Sequence, residues 1–200
     1  MRKNNLDKTY WNNRYNENAT PWNIGYASLP IVKYIEQLKN KNLKILIPGA
    51  GNGYEAEYLW KKGFKNVYAL DFAKQSLDNL KNRVPNFPQN QVIAEDFFHF
   101  EGQFDLVIEQ TFFCALHPNL RNRYVEKTHQ LLKPKGKIVG LLFNFELTDS
   151  GPPFGGSEND YREMFKNKFN IKVLEPAINS IKERNGKELF FIFEKKTEWP

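Results

Sequence analysis

Apolar and polar residues follow one another in short blocks whose period switches between strand and helix. Residues 43–48 (LKILIP) form a brief apolar run that ends in glycines, which predicts a buried strand. Residues 54–62 follow with helical spacing, and Gly63 is their stop. Residues 66–70 (NVYAL) predict a second strand, and 73–83 a helix with Leu77 and Leu80 turned inward. Strands are expected at 91–94, 104–108 (FDLVI) and 137–143. A helix over 120–132 precedes the last of these and is closed by the turn Lys133-Pro134-Lys135-Gly136. A helix over 159–168 and strands over 171–175 and 188–194 complete the pattern. Residues 6–17 and 27–39 read as helices ahead of the first strand.

Such alternation implies a mostly parallel sheet with helices on both faces. Only a turn-rich segment, 176–187 with Asn185-Gly186, separates the last two strands, so they form an antiparallel pair at one edge. The expectation is one α/β domain over residues 1–200, a Rossmann-like, seven-stranded, mostly parallel sheet with an antiparallel last strand. Residues 1–40 would be an N-terminal helical lid region. The bare pattern fits other doubly wound folds as well.

Composition adds bounds. The 200 residues suit a single domain, and 40% hydrophobic with 15% aromatic residues is enough for a sizeable core. No apolar run approaches the roughly 18 residues of a membrane span. The polar start lacks the apolar centre of a signal peptide. One cysteine, Cys114, excludes an internal disulfide. The chain therefore reads as cytoplasmic, with no membrane partner. A net charge of +6 could signal nucleic acid, but Lys and Arg are scattered and densest at helix ends and turns, which argues against such a surface. His99, His117 and His129 lack metal-ligand spacing, so no metal is expected. Oligomeric state is left open.

The chemistry begins where the first strand runs into Pro48-Gly49-Ala50-Gly51-Asn52-Gly53. Glycines let the backbone turn sharply and approach a ligand that a Cβ would block. The dinucleotide fingerprint is G-x-G-x-x-G. Here the third glycine comes one residue early, which is the methyltransferase spacing. Asp71 ends the second strand, where a carboxylate can accept both ribose hydroxyls. Asp96 and Phe97 follow the third strand and can bond an adenine amine and pack on its ring; Asp96 would otherwise be a turn cap. Glu109-Gln110 ends the fourth strand, facing the same crevice or lying in a surface loop.

Several segments are more specific. They are Trp11-x-x-x-Tyr15 with Thr20-Pro21-Trp22-Asn23-x-Gly25, Glu95-Asp96-Phe97-Phe98, Thr111-Phe112-Phe113-Cys114-Ala115-Leu116 and Gly151-Pro152-Pro153-Phe154. With the glycine loop they resemble the thiopurine S-methyltransferase family over nearly the whole chain, particularly its plant halide/thiol methyltransferases. The resemblance implies S-adenosylmethionine as cofactor, S-adenosylhomocysteine as its product and a small-molecule acceptor. It assigns Trp11, Tyr15, Trp22, Gly49, Asp71, Asp96, Phe97 and Gln110 to the cofactor, and Gly51 of the glycine loop is expected beside them. Glu109, Gln110, Phe112, Phe143 and Phe154 are expected to line the acceptor pocket. Related enzymes usually carry Asp followed by Tyr or Arg at Glu109-Gln110, tyrosine at Phe143 and tryptophan at Tyr15, so the acceptor stays open among thiols, thiopurines, halides, thiocyanate and metalloid oxyanions.

Methyl transfer from a sulfonium is an in-line displacement with a neutral leaving group, so alignment and dryness matter more than acid–base work. No catalytic dyad is visible, which suits a thiol or halide. Trp11, Tyr15, Trp22, Phe112, Phe113 and Phe154 can form a dry pocket or simply pack in the core. A methyltransferase of protein or RNA, a non-catalytic cofactor-binding protein and a nicotinamide oxidoreductase are the competing readings.

Overall fold

A computed structural model of the chain describes residues 6–197. The outermost parts of the expected 1–200 domain and 1–40 lid region, residues 1–5 and 198–200, lie outside the described residues. All four residues of β1 (Ile45–Pro48) are buried, because helices cover both faces of the strand. Its pleat sends Ile45 and Ile47 to one face and Leu46 to the other.

Around β1 lie β2 (Val67–Leu70), β3 (Val92–Ile93), β4 (Phe104–Glu109), β5 (Leu132–Phe143), β6 (Phe169–Pro176) and β7 (Glu188–Lys195), in the spatial order β3-β2-β1-β4-β5-β7-β6. The strands from β3 to β5 pair in parallel, and β7 runs antiparallel to both neighbours. The expected antiparallel pair is present, with the reversed strand one place in from the edge and β6 outermost. The turn at 133–136 does not precede β5 but sits inside it. Leu132 pairs with Phe104 before the register jumps to Lys137 opposite Leu106, and Lys133 Nζ bonds Asp105 at 2.8 Å.

The helices are α1 (Lys8–Asn16), α2 (Leu29–Gln37), α3 (Tyr54–Lys61), α4 (Lys74–Arg83), α5 (Arg121–Leu131) and α6 (Glu158–Phe165). One face of the sheet packs on Ile31 and Ile35 of α2, Ala56 and Leu59 of α3, and Leu77 and Leu80 of α4. The other packs on Tyr124 and Val125 of α5 and Tyr161 and Phe165 of α6. α6 is shorter than expected because β6 already begins at Phe169. α1 has no buried residue and belongs to neither layer; it lies beside the strand ends.

Candidate active site

The carboxyl ends of β1, β2 and β4 open onto one cavity of about 1110 Å³. This is the crevice in which open α/β sheets hold ligands. It is larger than the roughly 300–1,000 Å³ usual for one small molecule, so it has room for two.

The glycine loop forms its floor. Gly49, Gly51 and Gly53 all have left-handed φ, at 57°, 53° and 71°. A Cβ on Gly49 would lie 2.3 Å from the Phe112 ring, and one on Gly51 would lie 2.7 Å from the Tyr15 hydroxyl. Here the need for glycine is steric as well as conformational. Asp71 sits one step beyond β2 and stabilises the loop: Oδ2 accepts from Gly51 N–H at 2.9 Å and Oδ1 from Ala73 N–H at 2.8 Å. Burial pushes its carboxyl up to about 6 against those bonds.

Asp96 is a turn cap and a cavity residue at once. Oδ1 accepts from Phe98 N–H at 2.8 Å, while the residue faces the cavity beside Phe97. Phe97 stacks on Tyr124 and meets Phe112 edge-on, with ring centroids 5.3 Å apart in both pairs. Gln110 leaves β4 toward the cavity, and its Oε1 is buried with no partner among the described residues. An orphaned buried acceptor is rare enough to require an explanation. Next to it, Thr111 holds φ at 59°. A β-branched residue there costs about 1–3 kcal/mol and persists only where neighbours enforce it.

α1 and its following loop close the top. The Trp11 and Trp22 rings meet edge-on at 5.4 Å, and Tyr15 meets Trp22 at 5.9 Å. Burial and the nearby Asp71 carboxylate raise the Tyr15 hydroxyl's pKa, so it stays protonated. Ser28 N–H donates to the buried Glu55 at 3.0 Å, and Arg184 Nη2 donates to the Trp22 carbonyl at 2.8 Å.

The structure thus brings Trp11, Tyr15, Trp22, Gly49, Gly51, Asp71, Asp96, Phe97, Gln110, Phe112 and Phe143 onto the walls of one cavity. Two expectations, for Glu109 and Phe154, need correcting, and Phe113 takes the core-packing alternative left open for it. Glu109 does not face the acceptor. It is 0% exposed, and Oε1 accepts from the N–H groups of Phe112 and Phe113, both at 2.8 Å, while Oε2 accepts from the Tyr124 hydroxyl at 2.6 Å. Burial pushes its carboxyl up to about 7. Phe113 is core, packed on Tyr124, Tyr161 and Phe165. Phe154 is 4% exposed and lies outside the cavity against the His117 ring; Pro152 and Pro153 supply the wall that was expected of it.

Arg184 is a cavity residue that the sequence concealed. It stands in the turn before β7, where a lone arginine beside Asn185-Gly186 looks like a solvated charge. Only the insertion of β7 next to β5 brings it in. Its side chain is 11% exposed, lies 3.6 Å from Glu188 and sits 5.8 Å from the Phe143 ring. Cys114 is also on the wall; burial raises its pKa, with the Glu109 charge adding to the effect, so it remains a neutral thiol. No group of His, Cys, Asp and Glu suited to a metal occurs among the described residues, and no helix among them is long and apolar enough to cross a membrane.

Comparison with known proteins agrees with this geometry. The thiopurine S-methyltransferase family model matches residues 6–199. A probable thiol methyltransferase 2 of Arabidopsis thaliana is 30% identical over 159 residues, covering 77% of this chain and 70% of the relative. Thiocyanate methyltransferase 1 of Brassica oleracea is 26% identical over 184 residues, covering 89% and 81%. In fold, the chain is similar to the Burkholderia thailandensis 1,6-didemethyltoxoflavin-N1-methyltransferase bound to S-adenosylhomocysteine, with a TM-score of 0.76 at 17% identity over 96% of this chain and 88% of that one. The chain is an S-adenosylmethionine-dependent methyltransferase with a class I fold, and it belongs to the thiopurine S-methyltransferase family.

Proposed function

We propose that the cavity holds the cofactor along Asp71, Asp96, Phe97, Gln110 and the glycine loop, and a small, soft, anionic nucleophile beneath Trp22, Phe143 and Arg184. The observation that carries this reading is the pairing of two features in one cavity: an orphaned acceptor at Gln110 and a nearly buried guanidinium at Arg184. The acceptor end has aromatic walls and two guanidinium groups, Arg184, which shares its charge with Glu188 3.6 Å away, and Arg14 over the Trp22 ring, a setting that suits a thiolate, a thiocyanate-like ion or a halide.

S-Adenosylmethionine, when bound, supplies a methyl group on a sulfonium whose departing thioether is neutral. The rest falls to the chain. Each Asp71 oxygen already accepts one N–H and keeps lone pairs for a ribose hydroxyl. Gln110 Oε1 accepts from an ammonium. Trp11, Tyr15 and Trp22 exclude water and present ring faces to a cation, worth about 0.5–2 kcal/mol per good contact. Arg184 lowers the pKa of a thiol near it, so no separate base is needed for a group that ionises near pH 8.5 in water. The single buried Cys114 suits a reducing compartment, and a cytoplasmic location is part of this reading.

The test is a screen with methyl-labelled cofactor across thiols, thiopurines, halides, thiocyanate and selenium or tellurium oxyanions, with protein and RNA alongside. Transfer to one or more soft small nucleophiles is expected. Transfer to macromolecules alone, or to none of these acceptors, would reject the reading.

A further inference from the structure

We infer that Glu109 is a positioning residue for methyl transfer: it holds the 110–113 segment so that Gln110 and Phe112 face the cofactor. The inference rests on the proposed assignment of those two residues to the cofactor and goes one step behind it, to a side chain that touches no ligand.

Three donors from two elements converge on this one carboxylate: the N–H groups of Phe112 and Phe113 on Oε1 and the Tyr124 hydroxyl of α5 on Oε2. A fully buried acid carries a heavy desolvation penalty, which these three hydrogen bonds offset. Here they fasten a backbone that would not hold its shape unaided. Thr111, in the left-handed region at φ 59°, stands between Gln110 and Phe112, and its hydroxyl donates to Gln110 O at 2.7 Å. With the N–H of Phe112 tied to Glu109, the Phe112 ring rests on Gly49, where even a methyl group would collide. Glu109 itself is seated by Gly140 of β5, directly opposite, where a Cβ would come 2.1 Å from Glu109 O. The result is a continuous mechanical link from α5 through Glu109 to the glycine loop, with the unpaired Gln110 Oε1 beside it. At its last residue the pleat of β4 directs Glu109 into the core, and Gln110, the next residue, leaves the strand for the cavity, so the adjacent pair divides support and contact between them.

Glu109→Gln keeps an acceptor oxygen for the two N–H groups and can still bond Tyr124; Glu109→Leu keeps only the bulk. S-Adenosylhomocysteine affinity, measured by calorimetry, is expected to fall roughly tenfold or more in Glu109→Leu, the scale of lost bonds to a charged group. Glu109→Gln should restore it to near the parent value. In a double-mutant cycle with Gln110→Ala the two losses should be non-additive, because one acts through the other. Parent-like affinity in a cooperatively melting Glu109→Leu protein overturns the inference, as does a Glu109→Gln protein that binds as poorly as Glu109→Leu, or strict additivity with Gln110→Ala. If Glu109→Leu does not fold, amide exchange in the unaltered protein decides. Phe112 and Phe113 should exchange as slowly as β4, and exchange at exposed-loop rates overturns the inference. An unaltered protein that does not bind S-adenosylhomocysteine would instead reject the cofactor assignment, and this inference with it.

Discussion

The proposed ribose role of Asp71 and its burial pull its ionisation in opposite directions. Accepting ribose hydroxyls calls for the carboxylate, yet burial pushes its pKa up to about 6 from 3.8. A raised folded pKa means that the native state binds the proton more tightly than the unfolded chain. The contribution to stability is full below about pH 3.8 and is lost as pH rises through about 6. Affinity should move the other way, weakening as pH falls through 6. Calorimetric titrations and thermal melts between pH 4 and 8 should show these opposed trends, and Asp71→Asn should flatten both. Asp71→Ala should weaken S-adenosylhomocysteine binding by about 1.5–3 kcal/mol, and unchanged affinity would remove Asp71 from the ribose role. Phe154 makes a contrasting case. It is buried against His117, so Phe154→Ala should cost about 3–5 kcal/mol of stability and slow every acceptor alike. Phe143→Ala, on the cavity wall, should change relative rates among acceptors while cofactor affinity holds. The place of Asp71 on the cavity wall was legible in the sequence because an acid at a strand end after a glycine loop stands at the crevice of such a sheet. Glu109 was misplaced because neighbouring residues of a strand point to opposite faces, and strand ends do not announce which face is which.

The N-terminal helix shows what a single element can and cannot do alone. α1 is capped by Asp7, whose side chain accepts from Tyr10 N–H, but none of its residues is fully buried and it is held chiefly by the half-buried Trp11 and Tyr15 against Trp22. Its seam with α4 is a polar cleft of about 330 Å³ edged by Asn18, Asn52, Asn79, Asn82 and Arg83, so opening there exposes little apolar surface. These features support the expected lid, whose closure would shed water and complete the site. S-Adenosylhomocysteine should protect residues 11–25 from limited proteolysis, and equal cleavage with and without it would count against a lid. Arg184 is the fastening from the other side, through the Trp22 carbonyl. Arg184→Ala should speed cleavage of this segment and reduce kcat/KM for anionic acceptors by about 10–150-fold, with smaller losses for neutral ones. Equal losses for both classes would place Arg184 in the lid alone.

For the chain as a unit, ligand binding and stability are linked. At one hundred times its Kd, S-adenosylhomocysteine should stabilise the protein by about 2.7 kcal/mol. For a domain of this size that raises Tm by about 5–11 °C, whereas NAD should leave it unchanged; a shift with NAD and none with S-adenosylhomocysteine would contradict the cofactor. The alternation of apolar blocks, the glycine spacing and the strand-end acids were enough to specify a doubly wound sheet, its order of elements and the floor of the cavity. They are local features: strand burial, left-handed turns and short apolar runs each follow from a few consecutive residues. What remained hidden depends on contacts between distant positions. The bulge inside β5 arises from pairing with β4, the bond of the inward Glu109 to α5 from the Tyr124 hydroxyl, the burial of Phe154 from the His117 ring, and the arrival of Arg184 from the threading of β7 between β5 and β6. Sequence periodicity says which residues leave water, but only the packed fold says which neighbour each of them meets.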